Sequence, residues 1–152
     1  YFRLFEVKKK IKKFYCIGDS ITNGARNEFY RDYVLELNYL FKDKSIVFLN
    51  SSVNGETTSE ILRRAIKIIT EEDIVGIFLG TIPRIFTGLP AYSKNNGNLF
   101  ISKYNQILKK NAKLHKISIV DLNILTENFF IDGIHTSNKG CEKIAKLIKY
   151  HI

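Results

Sequence analysis

Three side chains in this chain of 152 residues have the chemistry for acyl transfer. Ser20 stands in the run Gly18-Asp19-Ser20-Ile21-Thr22, directly after the short apolar stretch Phe14-Tyr15-Cys16-Ile17. A serine just past a buried strand is exposed at a sheet edge, beside the N–H groups of the following turn. Much later, Asp132-Gly133-Ile134-His135 sets a carboxylate three residues before an imidazole, across a glycine. Such a carboxylate can receive the Nδ1–H of the histidine, which fixes the tautomer and leaves Nε2 free as a base. Each half alone has an ordinary explanation: a polar strand-to-helix turn, or a helix N-terminal acid and an incidental histidine. Together they supply nucleophile, base and orienter, provided that the fold brings them to one place.

The elements that must do so are legible as apolar runs alternating with helical periods. Phe14–Ile17, Ile46–Leu49, Ile74–Leu79 (interrupted by Gly76 and ended by Gly80) and Ile117–Leu122 read as buried strands. Between them, Phe29–Phe41 places Tyr30, Val34, Leu37 and Phe41 on one helical face. Thr58-Ser59 can cap a helix carrying Ile61, Leu62, Ala65, Ile66 and Ile69. Ile101–Leu114 reads as a helix with Tyr104, Ile107, Leu108 and Ala112 inward. Asn138–Tyr150 reads as one with Cys141, Ile144, Ala145 and Ile148 inward and Lys139, Lys143, Lys146 and Lys149 outward. Thr81–Asn98, which holds both prolines, is the longest stretch without periodicity, and long loops in compact domains are often functional. The order β-α-β-α-β-loop-α-β-loop-α with continuous apolar strands predicts a parallel sheet covered on both faces. Ligands of such folds bind beyond the carboxyl ends of the strands, and Ser20 and the Asp132/His135 pair both fall there.

These segments resemble the SGNH hydrolase superfamily, also called GDSL esterases and lipases. Cys16–Thr22 looks like its first block. Asn50-Ser51-Ser52-Val53-Asn54-Gly55-Glu56-Thr57-Thr58 looks like its second, with Gly55 at the glycine position. Asp132–His135 followed by Asn138-Lys139-Gly140 looks like its fifth. The resemblance runs from about Lys13 to Ile148. It implies an α/β fold, a flavodoxin-like three-layer α/β/α sandwich with a mostly parallel sheet of four to five strands. It also implies Ser20 as nucleophile, His135 as general base and Asp132 as its partner, with the N–H groups of Ser20 and Gly55 lining an oxyanion hole.

One block departs from the pattern. The family carries Gly-x-Asn-Asp after the third strand, and that Asn is a third oxyanion donor; this chain has Gly80-Thr81-Ile82-Pro83-Arg84. Either Gly80-Thr81 begins the block, continued by Ile85–Pro90, or Thr81–Pro83 ends a later strand and the block is deleted. Loss of one oxyanion donor typically costs about 10²–10³ in kcat. Asn54, Asn95, Asn96 and Asn98 are candidates for a replacement amide. The expected activity is therefore serine esterase chemistry on small-molecule acyl esters, without metal or cofactor. The alternative is a catalytically degenerate module that binds acyl or glycan groups.

Composition bounds these readings. The hydrophobic share is 45% and the charged share 26%, ordinary for a globular protein, and no apolar run approaches a membrane span. One domain spanning residues 1–152 is expected, with residues 1–12 as a basic arm. The formal net charge of +9 comes from 24 Lys+Arg against 15 Asp+Glu, densest at Lys8–Lys13. Solvated helix faces account for most of it, so no nucleic-acid partner is expected; the arm favours weak association with anionic membrane surfaces. Tyr1–Lys13 has no apolar segment or cleavage site of a secretory signal, and two cysteines make no disulfide framework, so a cytoplasmic setting is expected. Cys16 and Cys141 read as packing residues, His115 as surface and His151 as part of a disordered terminus.

Overall fold

The computed structural model describes residues 10–27, 31–42, 44–69, 74–80 and 94–152. Four parallel strands, β1 (Lys12–Gly18), β2 (Ile46–Ser52), β3 (Ile74–Gly80) and β4 (Ser118–Val120), lie in the order β2-β1-β3-β4. Among the described residues, four α-helices connect and cover them: α1 (Tyr33–Leu40), α2 (Thr58–Ile68), α3 (Lys94–Leu114) and α4 (Asn138–Lys149). This is the expected α/β architecture, with four strands among the described residues.

Alternation along the strands explains the layers. Cys16, Phe48, Phe78 and Val120 face one side, where they meet Val34 and Leu37 of α1 and Ile144 and Ile148 of α4. Ile17 and Ile77 face the other, against Ile61, Ala65 and Ile68 of α2 and Leu108 and Ala112 of α3. Strands buried on both faces need apolar side chains in both phases, hence the continuous runs. Sheet edges carry unpaired backbone groups. On edge strand β2, the Asn38 side chain of α1 meets this need: Nδ2 donates to Phe48 O and Oδ1 accepts from Phe48 N, both at 2.9 Å. The chain leaves β1 toward β2 and then crosses to β3 on its other side. The end of β1 is therefore the point where winding reverses, the place where open α/β sheets form their crevice.

Several expected boundaries move. α1 begins at Tyr33 because Asp32 caps it, its side chain accepting from Leu35 N at 2.7 Å; Phe29 and Tyr30 lie outside the described residues. The α2 cap is Thr57, which forms a reciprocal capping box with Glu60, in place of Thr58-Ser59. α3 starts at Lys94, so Asn95, Asn96 and Asn98 stand in a helix and not in a long loop. Its inner face is Ile101, Asn105, Leu108 and Ala112, while Tyr104 and Ile107 are about half exposed, at 49% and 55%. β4 is three residues long and is followed by a 3-10 turn at Leu122–Ile124, because Asp121 caps that turn through Asn123 N. Lys12, expected in the basic arm, pairs with Ile46 at the start of β1. Residues 1–9 of that arm and 81–93 of the third-block region lie outside the described residues. Among the described residues, no helix is long and apolar enough to cross a membrane.

Both cysteines are free and fully buried in one core cluster, Cys16 on β1 and Cys141 on α4. Burial pushes both thiols up, with nearby Asp32 adding to the effect; Thr136 and Asn27 partly offset it at Cys141. A thiol held neutral and out of solvent is inert. A thiol reagent is therefore expected to leave the native protein unmodified and to titrate both cysteines only after denaturation.

Candidate active site

β1 ends at Gly18, and the next residues curl into a tight turn that presents Ser20. Asp19 organises it: its Oδ1 accepts from Ile21 N at 2.9 Å, and its carbonyl accepts from Asn23 N at 3.0 Å. The Ser20 carbonyl accepts from Ala25 N at 2.9 Å. Buried Thr22 anchors the turn below, its hydroxyl 3.1 Å from Tyr33 Oη and its carbonyl receiving Asn50 Nδ2 at 3.0 Å. Burial pushes the Asp19 carboxyl above its ordinary value, and Glu56 adds to this; hydrogen bonds from the Ile21 and Asp19 N–H groups and the nearby His135 ring oppose it. Asp19, at the end of β1, thus feels His135 from the loop after β4.

That loop is held as a closed unit. Phe130 and Thr136 form an isolated antiparallel bridge, and Ile131 N donates to His135 O at 2.8 Å. Inside it, Asp132 Oδ1 accepts from Ile134 N at 3.0 Å and from His135 N at 2.7 Å. Asp132 Oδ2 lies 2.8 Å from His135 Nδ1 and 3.0 Å from Arg26 Nη1. Burial alone would raise this carboxyl. The His135 backbone and ring hydrogen bonds, the Ile134 N–H and the His135 charge outweigh it and lower the pKa from 3.8 to about 2. A carboxyl lowered in the folded state stabilises it above the unfolded pKa, and loses that contribution as pH falls through the folded value. Asp132→Asn is therefore expected to cost about 1 kcal/mol at pH 7, a value discounted for partial exposure. Urea midpoints of variant and parent should converge as the pH is lowered from about 4 to about 2.

The loop after β2 supplies the third part. Val53 N donates to Gly18 O at 3.1 Å, and Gly55 adopts φ 78°, a left-handed conformation that suits glycine. Asn23 Nδ2 donates to Asn54 Oδ1 at 2.9 Å, tying this loop to the Ser20 turn. Beneath both, Arg64 of α2 pairs with the Glu56 carboxylate through Nε and Nη2 and donates to the carbonyls of Ser51 and Gly18. Among the described residues, neither the Ser20 N–H nor the Gly55 N–H has a hydrogen-bond acceptor. Unpaired N–H groups at a rim are what an oxyanion would use. Ser20 Oγ and His135 Nε2 are also without a partner among the described residues, and no hydrogen bond joins them. In ligand-free sites that bond is often long and tightens only with substrate bound.

The expected site residues Ser20, Gly55, Asp132 and His135 thus all stand beyond the carboxyl ends of the parallel strands. Of the candidate amides, Asn54 is at this rim. Asn98 instead lines a cleft of about 420 Å³ with Ser102, Asn105, Gln106, Lys109 and Asn123. Among the described residues, no three His, Cys, Asp or Glu side chains are grouped to hold a metal ion. Arg26 and Arg64 were not legible as site residues in the sequence. Asp132 lies 106 residues from Arg26, and Gly18 lies 46 residues from Arg64, beyond the reach of any spacing rule; Glu56 and Ser51, the other partners of Arg64, lie 8 and 13 residues away.

No known protein family matches the chain by sequence, and no curated protein does. Solved structures do match in fold. A member of the lipolytic protein G-D-S-L family from Veillonella parvula aligns over 91% of this chain and 97% of its own, at 15% identity and a TM-score of 0.67. The lipase/acylhydrolase from Enterococcus faecalis aligns over 93% and 95%, at 20% identity and a TM-score of 0.67. The acetyl xylan esterase AlAXEase aligns over 92% and 99%, at 16% identity and a TM-score of 0.65. At these identities the likeness is one of fold: the chain has an SGNH hydrolase-like fold.

Proposed function

We propose that this protein is a serine esterase acting on small acyl esters. The observation that carries the reading is the Asp132 Oδ2 to His135 Nδ1 contact at 2.8 Å, with Nε2 unpartnered among the described residues, on the rim that also bears Ser20. The Asp132 carboxylate, ionised well below neutral pH, holds the imidazole in the tautomer whose Nε2 accepts a proton. His135 takes the Ser20 hydroxyl proton as Oγ attacks the ester carbonyl. The oxygen that gains charge is met by the Ser20 and Gly55 N–H groups, which have no described protein acceptor to give up. His135 then protonates the departing alcohol, and water attacks the acyl-Ser20 ester with His135 again as base. That the three structural neighbours are named as a lipolytic protein, a lipase/acylhydrolase and an esterase supports the class of reaction.

A second reading, an acyl- or glycan-binding module, is favoured by the missing Ser20 Oγ to His135 Nε2 hydrogen bond. Hydrolysis of p-nitrophenyl acetate and butyrate separates the two. Turnover that disappears in Ser20→Ala, at matched circular dichroism, supports the esterase. Equal background rates in both proteins favour the binding module.

A further inference from the structure

We propose that Arg26 is a positioning residue that tunes His135 through Asp132. Its guanidinium shares the carboxylate oxygen that orients the ring, and so limits how strongly Asp132 holds a proton on His135. The kinetic consequence rests on the esterase reading; the electrostatic one does not.

Four donors meet the two Asp132 oxygens: Ile134 N and His135 N on Oδ1, His135 Nδ1 and Arg26 Nη1 on Oδ2. That fills the roughly four acceptor positions of a carboxylate. The ring and the guanidinium therefore divide one oxygen between them. When His135 becomes imidazolium, the ion pair that should stabilise it already contains a fixed cation. The ring and a fixed cation thus compete for the same carboxylate oxygen.

The backbone is bent to deliver this contact. Arg26 has φ 62°, a left-handed conformation that residues with a side chain seldom adopt. The bend is fixed from both sides. Ala25 N donates to Ser20 O, while buried Asn27 donates through its backbone to Gly24 O at 3.1 Å and through Nδ2 to Arg31 O at 2.8 Å. Arg26 thus reaches from the turn that carries Ser20 to the loop that carries the Asp–His pair. Among the described residues, the other charges facing the ring are Asp132 on its own loop and Asp19 from the turn after β1. Glu56 stands behind Asp19 and is paired with Arg64. Lys139 of α4 lines a cleft of about 510 Å³ that Arg26 also borders, with Asn27, Asn128, Ile131, Ser137 and Asn138. Among these, Arg26 is the cation bonded to the Asp132 carboxylate.

Because the Arg26 side chain is 70% exposed, solvent weakens its effect, and a shift of about half to one pH unit is expected. The test is the titration of the His135 ring protons by NMR, assigned with His135→Gln. Arg26→Asn removes the charge and keeps a residue at ease with positive φ. It should raise the His135 pKa by about half to one pH unit, and Arg26→Lys should restore most of the parent value. In an Asp132→Asn background, Arg26→Asn should have less than half that effect. An Arg26→Asn pKa within about 0.2 pH unit of the parent overturns the proposal, as does an equal shift without Asp132. The acid limb of the kcat/KM profile should move with the NMR value. A protein that hydrolyses no ester at all counts against the esterase reading alone, since the ring titration still decides the role of Arg26.

Discussion

His135→Gln is expected to lower ester hydrolysis by roughly 10⁴-fold and to leave the fold intact. Glutamine can accept a hydrogen bond but cannot carry a proton away at neutral pH, so Ser20 loses its base while the oxyanion donors remain. The fold should persist because the loop is fixed mainly through other groups. The Asp132 Oδ1 bonds come from the backbone N–H groups of positions 134 and 135, and the Phe130–Thr136 bridge also belongs to the backbone. The measurement is kcat with p-nitrophenyl acetate, beside a thermal midpoint and a circular dichroism spectrum for each protein. A variant retaining more than about a tenth of the parent kcat would remove His135 from the chemistry.

The second large effect is structural and lies outside the reacting groups. A Cβ added at Gly140 would stand 2.4 Å from Phe129 O and 3.0 Å from Thr136 Cβ. Phe129 O already accepts from Ser137 N at 2.8 Å and from Ser137 Oγ at 3.1 Å, so it cannot turn aside without loss. The helix cannot retreat cheaply either, because Cys141, Ile144, Ala145 and Ile148 of α4 are all buried. Gly140→Ala must therefore push the first turn of α4 away from the segment that leads into Asp132 and His135. The expected result is a loss of about 1–3 kcal/mol in urea unfolding and a fall in kcat larger than any rise in KM. Lys139→Ala, at the exposed neighbour, should stay within about 0.5 kcal/mol of the parent. A parent-like Gly140→Ala would mean that the Asp–His loop is not braced by α4.

What the sequence revealed depends on the range of the interaction. The strands and α4 were legible because burial on two faces, or on one helical stripe, writes itself into local periodicity. The common position of Ser20 and Asp132/His135 was legible because a parallel sheet puts every strand end on one rim. The inner face of α3 was legible only in part, Leu108 and Ala112 packing as expected, because two stripes compete along it: Tyr104 and Ile107 are half exposed, while buried Asn105 lies on the inner face. The α1 boundary shifted because Asp32 is a better start than the aromatic period suggested. Arg26 and the reach of Arg64 to Gly18 stayed hidden for a different reason: both depend on partners that only the tertiary structure brings near.

The central claim is that Ser20 is a nucleophile made reactive by His135. A fluorophosphonate tests it without knowledge of the natural ester, since a serine hydroxyl activated by a base displaces fluoride and forms a stable phosphonyl ester. Intact mass followed by peptide mapping should show one adduct, on Ser20. It should be absent in Ser20→Ala and form far more slowly in His135→Gln. An unmodified parent protein, or labelling that proceeds equally fast without His135, would contradict the account.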